Sequence, residues 1–117
     1  MKVSKYLFLK TLAKSMSKKL GENNPSESQL DMMATSMNPV FATYWGMMKA
    51  AGLVDSEERV NVNLFVEKVE QFFKVVPVLN IPLGSQTFQV TKLDVEEFIK
   101  GLERVAEVEE VICLPHH

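Results

Sequence analysis

A chain of 117 residues with 46 % apolar and 24 % charged residues, and only five each of Gly and Pro, has the composition of one globular domain spanning 1–117, and not of a disordered or fibrous segment. The net charge of -2 hides a segregation: residues 1–20 carry six lysines and no acid, +6, while the rest holds seven basic and fifteen acidic residues, -8. No apolar run approaches the roughly 20 residues that cross a bilayer, so no transmembrane segment is expected.

The first element is a basic amphipathic helix over about residues 3–20, because Tyr6, Leu9, Leu12, Ala13, Met16 and Leu20 recur at steps of three and four and form one apolar stripe. The run Tyr6 to Leu9 is too short for the core of a secretory signal, so no cleaved presequence is expected. Gly21 suits the C-cap, and Asn23, Asn24 and Pro25 form a break. Ser26 with Gln29 three residues on makes a capping box for a short second helix, whose apolar side is Leu30, Met33 and Met37. Asn38 and Pro39 read as cap and first residue of a third helix running to about Ala51, with Phe41, Tyr44, Trp45, Met48 and Ala51 inward and Gly52 closing it. Gly46 and Gly101 each predict a close approach by another element.

Val62, Phe65, Val66, Val69, Phe72, Phe73 and Val76 give the strongest helical stripe, capped by Asn61 or Asn63 and stopped by Pro77. The stripe predicts a buried Phe72. The period then changes to two, and Gly84-Ser85 as a two-residue turn pairs Leu83 with Gln86, Ile81 with Phe88 and Leu79 with Val90. One face of this hairpin, near 79–90, is apolar and predicted to bury Ile81 with Phe88. Thr91 and Asp94 open a fifth helix to about residue 107, and residues 108–114 read as a short strand in preference to a helical extension. The fold class is therefore α+β, predominantly helical, with about five helices, one antiparallel hairpin and a short C-terminal strand.

The segment LDVEEFIKGL, residues 93–102, resembles the exit helix of an EF-hand, and NVNLFVEKVEQFF, residues 61–73, could be that of a preceding one. With Glu97 last in the twelve-residue loop, the earlier ligand positions fall on Gln86, Phe88 and Val90, with Thr91 at the turn glycine. The loop beginning at Asp55 ends in Val66 and has Val60 at the glycine position. The resemblance thus implies a degenerate EF-hand-like module that binds no calcium.

Chemistry-bearing patterns are sparse. The histidines are His116 and His117, after Pro115, which is no place for a rigidly held base, and the five glycines are too scattered for a phosphate-binding loop. Cys113 is the lone cysteine, so an intramolecular disulfide and a multi-cysteine zinc site are excluded and a reducing, cytoplasmic setting is expected. Asp94, Glu96 and Glu97 are read as acids favouring a helix N-terminus, and Tyr44, Trp45, Met47 and Met48 as core instead of pocket. No catalytic, cofactor or metal site is expected. The chain reads as a non-catalytic protein interaction or regulatory module. A winged-helix nucleic-acid binder is the alternative, disfavoured because its wing would carry no Lys or Arg. The candidate partner-binding face is Val3, Leu7, Lys10, Lys14 and Lys18, opposite the core stripe of the first helix, and its expected partner is a protein or second copy with an acidic surface.

Overall fold

The computed structural model describes residues 1–21, 24–83 and 85–113. In chain order they form β1 (Lys2–Ser4), α1 (Lys5–Lys19), α2 (Glu27–Val40), α3 (Ala42–Ala50), β2 (Arg59–Asn61), α4 (Val62–Phe73), β3 (Val78–Leu83), β4 (Gln86–Thr91) and α5 (Lys92–Cys113). The architecture is mixed α+β and predominantly helical, with two small antiparallel strand pairs, β1–β2 and β3–β4.

The chain opens with a strand where the first turn of a helix was expected. Val3 pairs with Val60, and Ser4 stays extended and caps α1, its hydroxyl accepting the Leu7 N–H at 3.3 Å. The apolar periodicity of residues 6–20 carries no information about Val3, which is fixed instead by a strand distant in sequence. At the other end Gly21, at φ +78, donates its N–H to the Lys18 carbonyl, 3.1 Å away.

The Ser26–Gln29 capping box forms in both directions, at 3.1 and 2.8 Å. Asn38-Pro39 does not open a helix. Helix α2 runs through Pro39 to Val40, and the break falls at Phe41, two residues past the proline. Phe41 serves both helices: its N–H reaches the Met37 carbonyl at 2.8 Å and its own carbonyl accepts from Trp45 at 2.9 Å. Helix α3 closes as its sequence dictates, with Gly52 at φ +80 and the Gly52 and Leu53 N–H groups returning to the Lys49 and Met48 carbonyls at 3.1 and 2.9 Å.

Of the two glycines expected to mark close packing, Gly101 does so: a Cβ there would lie 3.0 Å from the Thr11 methyl. Gly46 does not, since nothing lies within 4 Å of the same position. Asn61 caps α4, accepting the Leu64 N–H at 3.2 Å. The hairpin register is the one the residues predict, Leu83 with Gln86, Ile81 with Phe88, Leu79 with Val90, although Gly84 itself lies outside the described residues. The expected C-terminal strand is absent from the described part of 108–114: α5 continues to Cys113, and the β-branched residues there extend the helix from Val105. Leu114, His116 and His117 lie outside the described residues.

The core is centred on α1, which packs against α2 on one side and α5 on the other. Two neighbours bury two faces, so the inward set is Phe8, Leu9, Thr11, Ala13 and Ser17, broader than a single stripe. Tyr6 and Leu20, expected inside, are 48 % and 59 % exposed. Phe8 is the hub: its ring lies 5.8 Å from Phe41, 5.9 Å from Trp45, 5.5 Å from Phe65 and 5.2 Å from Phe98. No helix of the described residues is long and apolar enough to cross a membrane.

Candidate functional site

The five residues expected to form a docking face do not share one. Val3 is fully buried between β2 and the helices, so the prediction that placed it opposite the core is corrected. Leu7 is half-buried and packs against the same core. Lys10 turns toward α2, where it pairs with Glu27 and, at 3.4 Å, with Asp31. Lys18 turns the other way, to Glu97 of α5 at 3.0 Å. Lys14 is exposed and takes part in none of the ion pairs among the described residues. Two further lysines of the arm are also tied down, Lys2 to Asp55 at 2.9 Å and Lys19 to Asp94.

The basic arm is thus the counter-charge of the chain's own acidic body. Its effect is visible in the carboxyls. Asp55 is pushed down to about 2, first by the Lys2 ammonium and then by the Arg59 backbone N–H. Asp94 is lowered chiefly by Lys19, Glu97 by Lys18, and Asp31 by the Tyr6 hydroxyl ahead of Lys10. These pairs are largely solvated, so each contributes little to stability, but each would have to be broken before its lysine could meet an external acid.

The acids before β2 and at the start of α5 are employed structurally. Asp55 organises the turn before β2, its carboxylate accepting the Glu57 and Arg59 N–H groups at 2.9 and 3.0 Å. Glu58, left-handed at φ 60, binds the Trp45 indole N–H and Lys49. Asp94 accepts from the Thr91 N–H and hydroxyl, both at 3.0 Å. Of the two loops weighed for calcium, one is occupied by β4 and the start of α5, the other by this turn, β2 and α4. Among the described residues no group of three or more His, Cys, Asp or Glu is placed to hold a metal ion. In the aromatic cluster of α3, Trp45 is buried and Tyr44 and Met48 half-buried, while Met47 is 62 % exposed.

The feature that stands out lies elsewhere. Between Val62 and Phe98, Leu83 and Gly84 set aside, no residue is buried, although this stretch holds α4, with the strongest apolar stripe of the sequence, and the apolar face of the hairpin. Val69, Phe73 and Val76 are half-buried, as are Ile81, Phe88 and Val90. Phe72 is 42 % exposed, contrary to its predicted burial, and Val75 is 83 % exposed. Ile81 and Phe88 pair in register but remain partly wet.

The sequence signal for this surface was present in the stripe of α4 and in residues 78–91, which contain no charged side chain. It pointed to core because periodicity identifies an apolar face without saying what covers it.

No protein-family model, curated protein or solved structure matches this chain.

Proposed function

We propose that this protein is a small non-catalytic interaction module whose contact surface is the outer part of α4 from Val69 on, with the β3–β4 hairpin, and not the basic face of α1. One observation carries the reading: beyond Val66 the apolar stripe of α4 leaves Phe72 42 % and Val75 83 % exposed, and Ile81, Phe88 and Val90 of the hairpin are only half-buried. Contiguous exposed apolar surface is rare on monomeric proteins and marks contact sites. The partner inferred is accordingly a protein surface with apolar complement. An acidic partner, favoured by the charge of residues 1–20, would meet Lys14 directly but would compete with Asp55, Glu27, Asp31, Asp94 and Glu97 for Lys2, Lys10, Lys18 and Lys19. A nucleic-acid role for the hairpin is disfavoured by its lack of any positive charge. The lone Cys113 supports a reducing, cytoplasmic setting for this role.

The reading is tested by placing a photoreactive phenylalanine analogue at position 72, and separately at position 14, and irradiating living cells. Discrete protein adducts from position 72 and none from position 14 are expected. Adducts from position 14 alone would return the contact surface to the basic face of α1.

A further inference from the structure

One line of side chains leads from the hub of the core to the hairpin. Phe8 lies 5.8 Å from Phe41, and Phe41, 8 % exposed, lies 5.5 Å from the ring of Tyr44 on α3. The half-buried Tyr44 ring is held there, and its hydroxyl donates to the Pro82 carbonyl of β3 at 3.1 Å. Pro82 stands at a non-bonded position of the ladder, so its carbonyl points away from β4 and toward the incoming hydroxyl. It lies about 13 Å along the strand from the Val78–Thr91 pair at the base of the hairpin, next to the last residue of β3.

The base is fastened by other means. Thr91 runs directly into α5, and its N–H and hydroxyl both donate to Asp94 at 3.0 Å. Between base and tip, the Tyr44 bond is the only hydrogen bond or ion pair among the described residues that joins residues 78–90 to another element. Leu83 and Gly84 set aside, none of residues 78–90 is buried, so no sealed packing duplicates what that bond does. Elements with few buried contacts are the ones that open locally at little cost.

We propose that the β3–β4 hairpin is a strap hinged at its base, and that Tyr44 is the positioning residue that holds it down. The proposal rests on the reading of outer α4 and the hairpin as a contact surface and adds how that surface is regulated. Its two halves belong to separate elements, joined by residues 74–77. With the Tyr44 bond made, both halves are presented in one arrangement. With it broken, the hairpin swings on residues 74–77 and Thr91, and a partner that grips both halves must first order it, which lowers affinity in proportion to the fraction held. Water competes for the exposed hydroxyl and carbonyl, so loss of the bond shifts the ratio of released to held forms about two- to tenfold. A shift of that size tunes binding and leaves the core around Phe8 intact.

Tyr44→Phe removes the hydroxyl and keeps the ring on Phe41. Spin labels at the exposed positions Lys14 and Ser85, in a Cys113→Ser background, read the distance from α1 to the tip of the hairpin. The parent should be dominated by one distance, and Tyr44→Phe should raise the weight of a second, broader component about two- to tenfold relative to it. The melting temperature should fall by no more than about 6 °C. In cells, at an expression level where adducts still rise with dose, the yield from a photoreactive analogue at position 72 should fall in Tyr44→Phe, by at most the same factor. Identical distance distributions in the two proteins, an unchanged adduct yield, or a larger loss of melting temperature overturns the proposal. Absence of adducts from position 72 without the Tyr44 substitution removes the wider reading instead and leaves the distances to judge the strap, so either can fail alone.

Discussion

Truncating two phenylalanines separates the buried part of this molecule from the part assigned to contact. Phe8 is 2 % exposed and its ring meets four others. Phe8→Ala leaves a closed cavity at the junction of α1, α3, α4 and α5, which costs about 3 to 5 kcal/mol. Phe72 keeps 42 % of its surface in water and meets one ring, Phe73 at 5.5 Å. Its truncation forfeits only part of the transfer free energy and encloses no void, about 1 to 2 kcal/mol. With an unfolding entropy of about 2.1 cal/mol/K per residue, 1 kcal/mol corresponds to about 4 °C in a chain of this length. Phe8→Ala should therefore melt about 12 to 20 °C below the wild type and Phe72→Ala about 4 to 8 °C below it. Circular dichroism melts at low micromolar concentration, checked by urea midpoints, read both. Equal losses for the two variants would mean that the face of α4 is sealed within the monomer, and the reasoning from its exposure would collapse.

At Gly101, the contact with the Thr11 methyl at 3.0 Å sets a clash against the helix propensity gained by adding a methyl group. Gly101→Ala should be neutral or destabilising by up to about 1 kcal/mol, and should become stabilising in a Thr11→Ser background. A denaturant double-mutant cycle with no coupling would show that the two helices do not approach as described. Asp55, held down to about 2 by Lys2, contributes stability that is fully present above the ordinary carboxyl value near 4 and is lost as pH falls through the folded value. Acid titration should show a stability decline between about pH 4 and about pH 2 that is shallower in Asp55→Asn, measured by melting temperature. An identical acid limb in both proteins would remove Asp55 from the account.

How much of this was legible in the residues depended on the range of the interaction. Local signals were reliable: the Ser26–Gln29 box, the Gly52 C-cap, the Asn61 cap and the register about residues 84 and 85 each arise from groups a few positions apart. Signals that need a distant partner were not. Val3 reads as a helical residue until Val60 is known to lie beside it. Phe8 lies off the single stripe drawn through α1 because that helix has two neighbours. Asn38-Pro39 reads as a helix start, yet α2 runs through it and breaks only at Phe41, which the dipeptide alone does not reveal. The lysines of residues 1–20 form one charged block in sequence, yet turn to different elements in space. The candidate surface was hidden for the same reason: apolar periodicity describes α4 and the hairpin correctly, and the absence of a covering element appears only once all the others have been placed.

A photoreactive analogue at position 72, with the same group at position 14 for comparison, tests the central claim most directly. Position 72, on the exposed face of α4, should give discrete protein adducts and position 14 none. Adducts from position 14 alone, or from neither position, would contradict it.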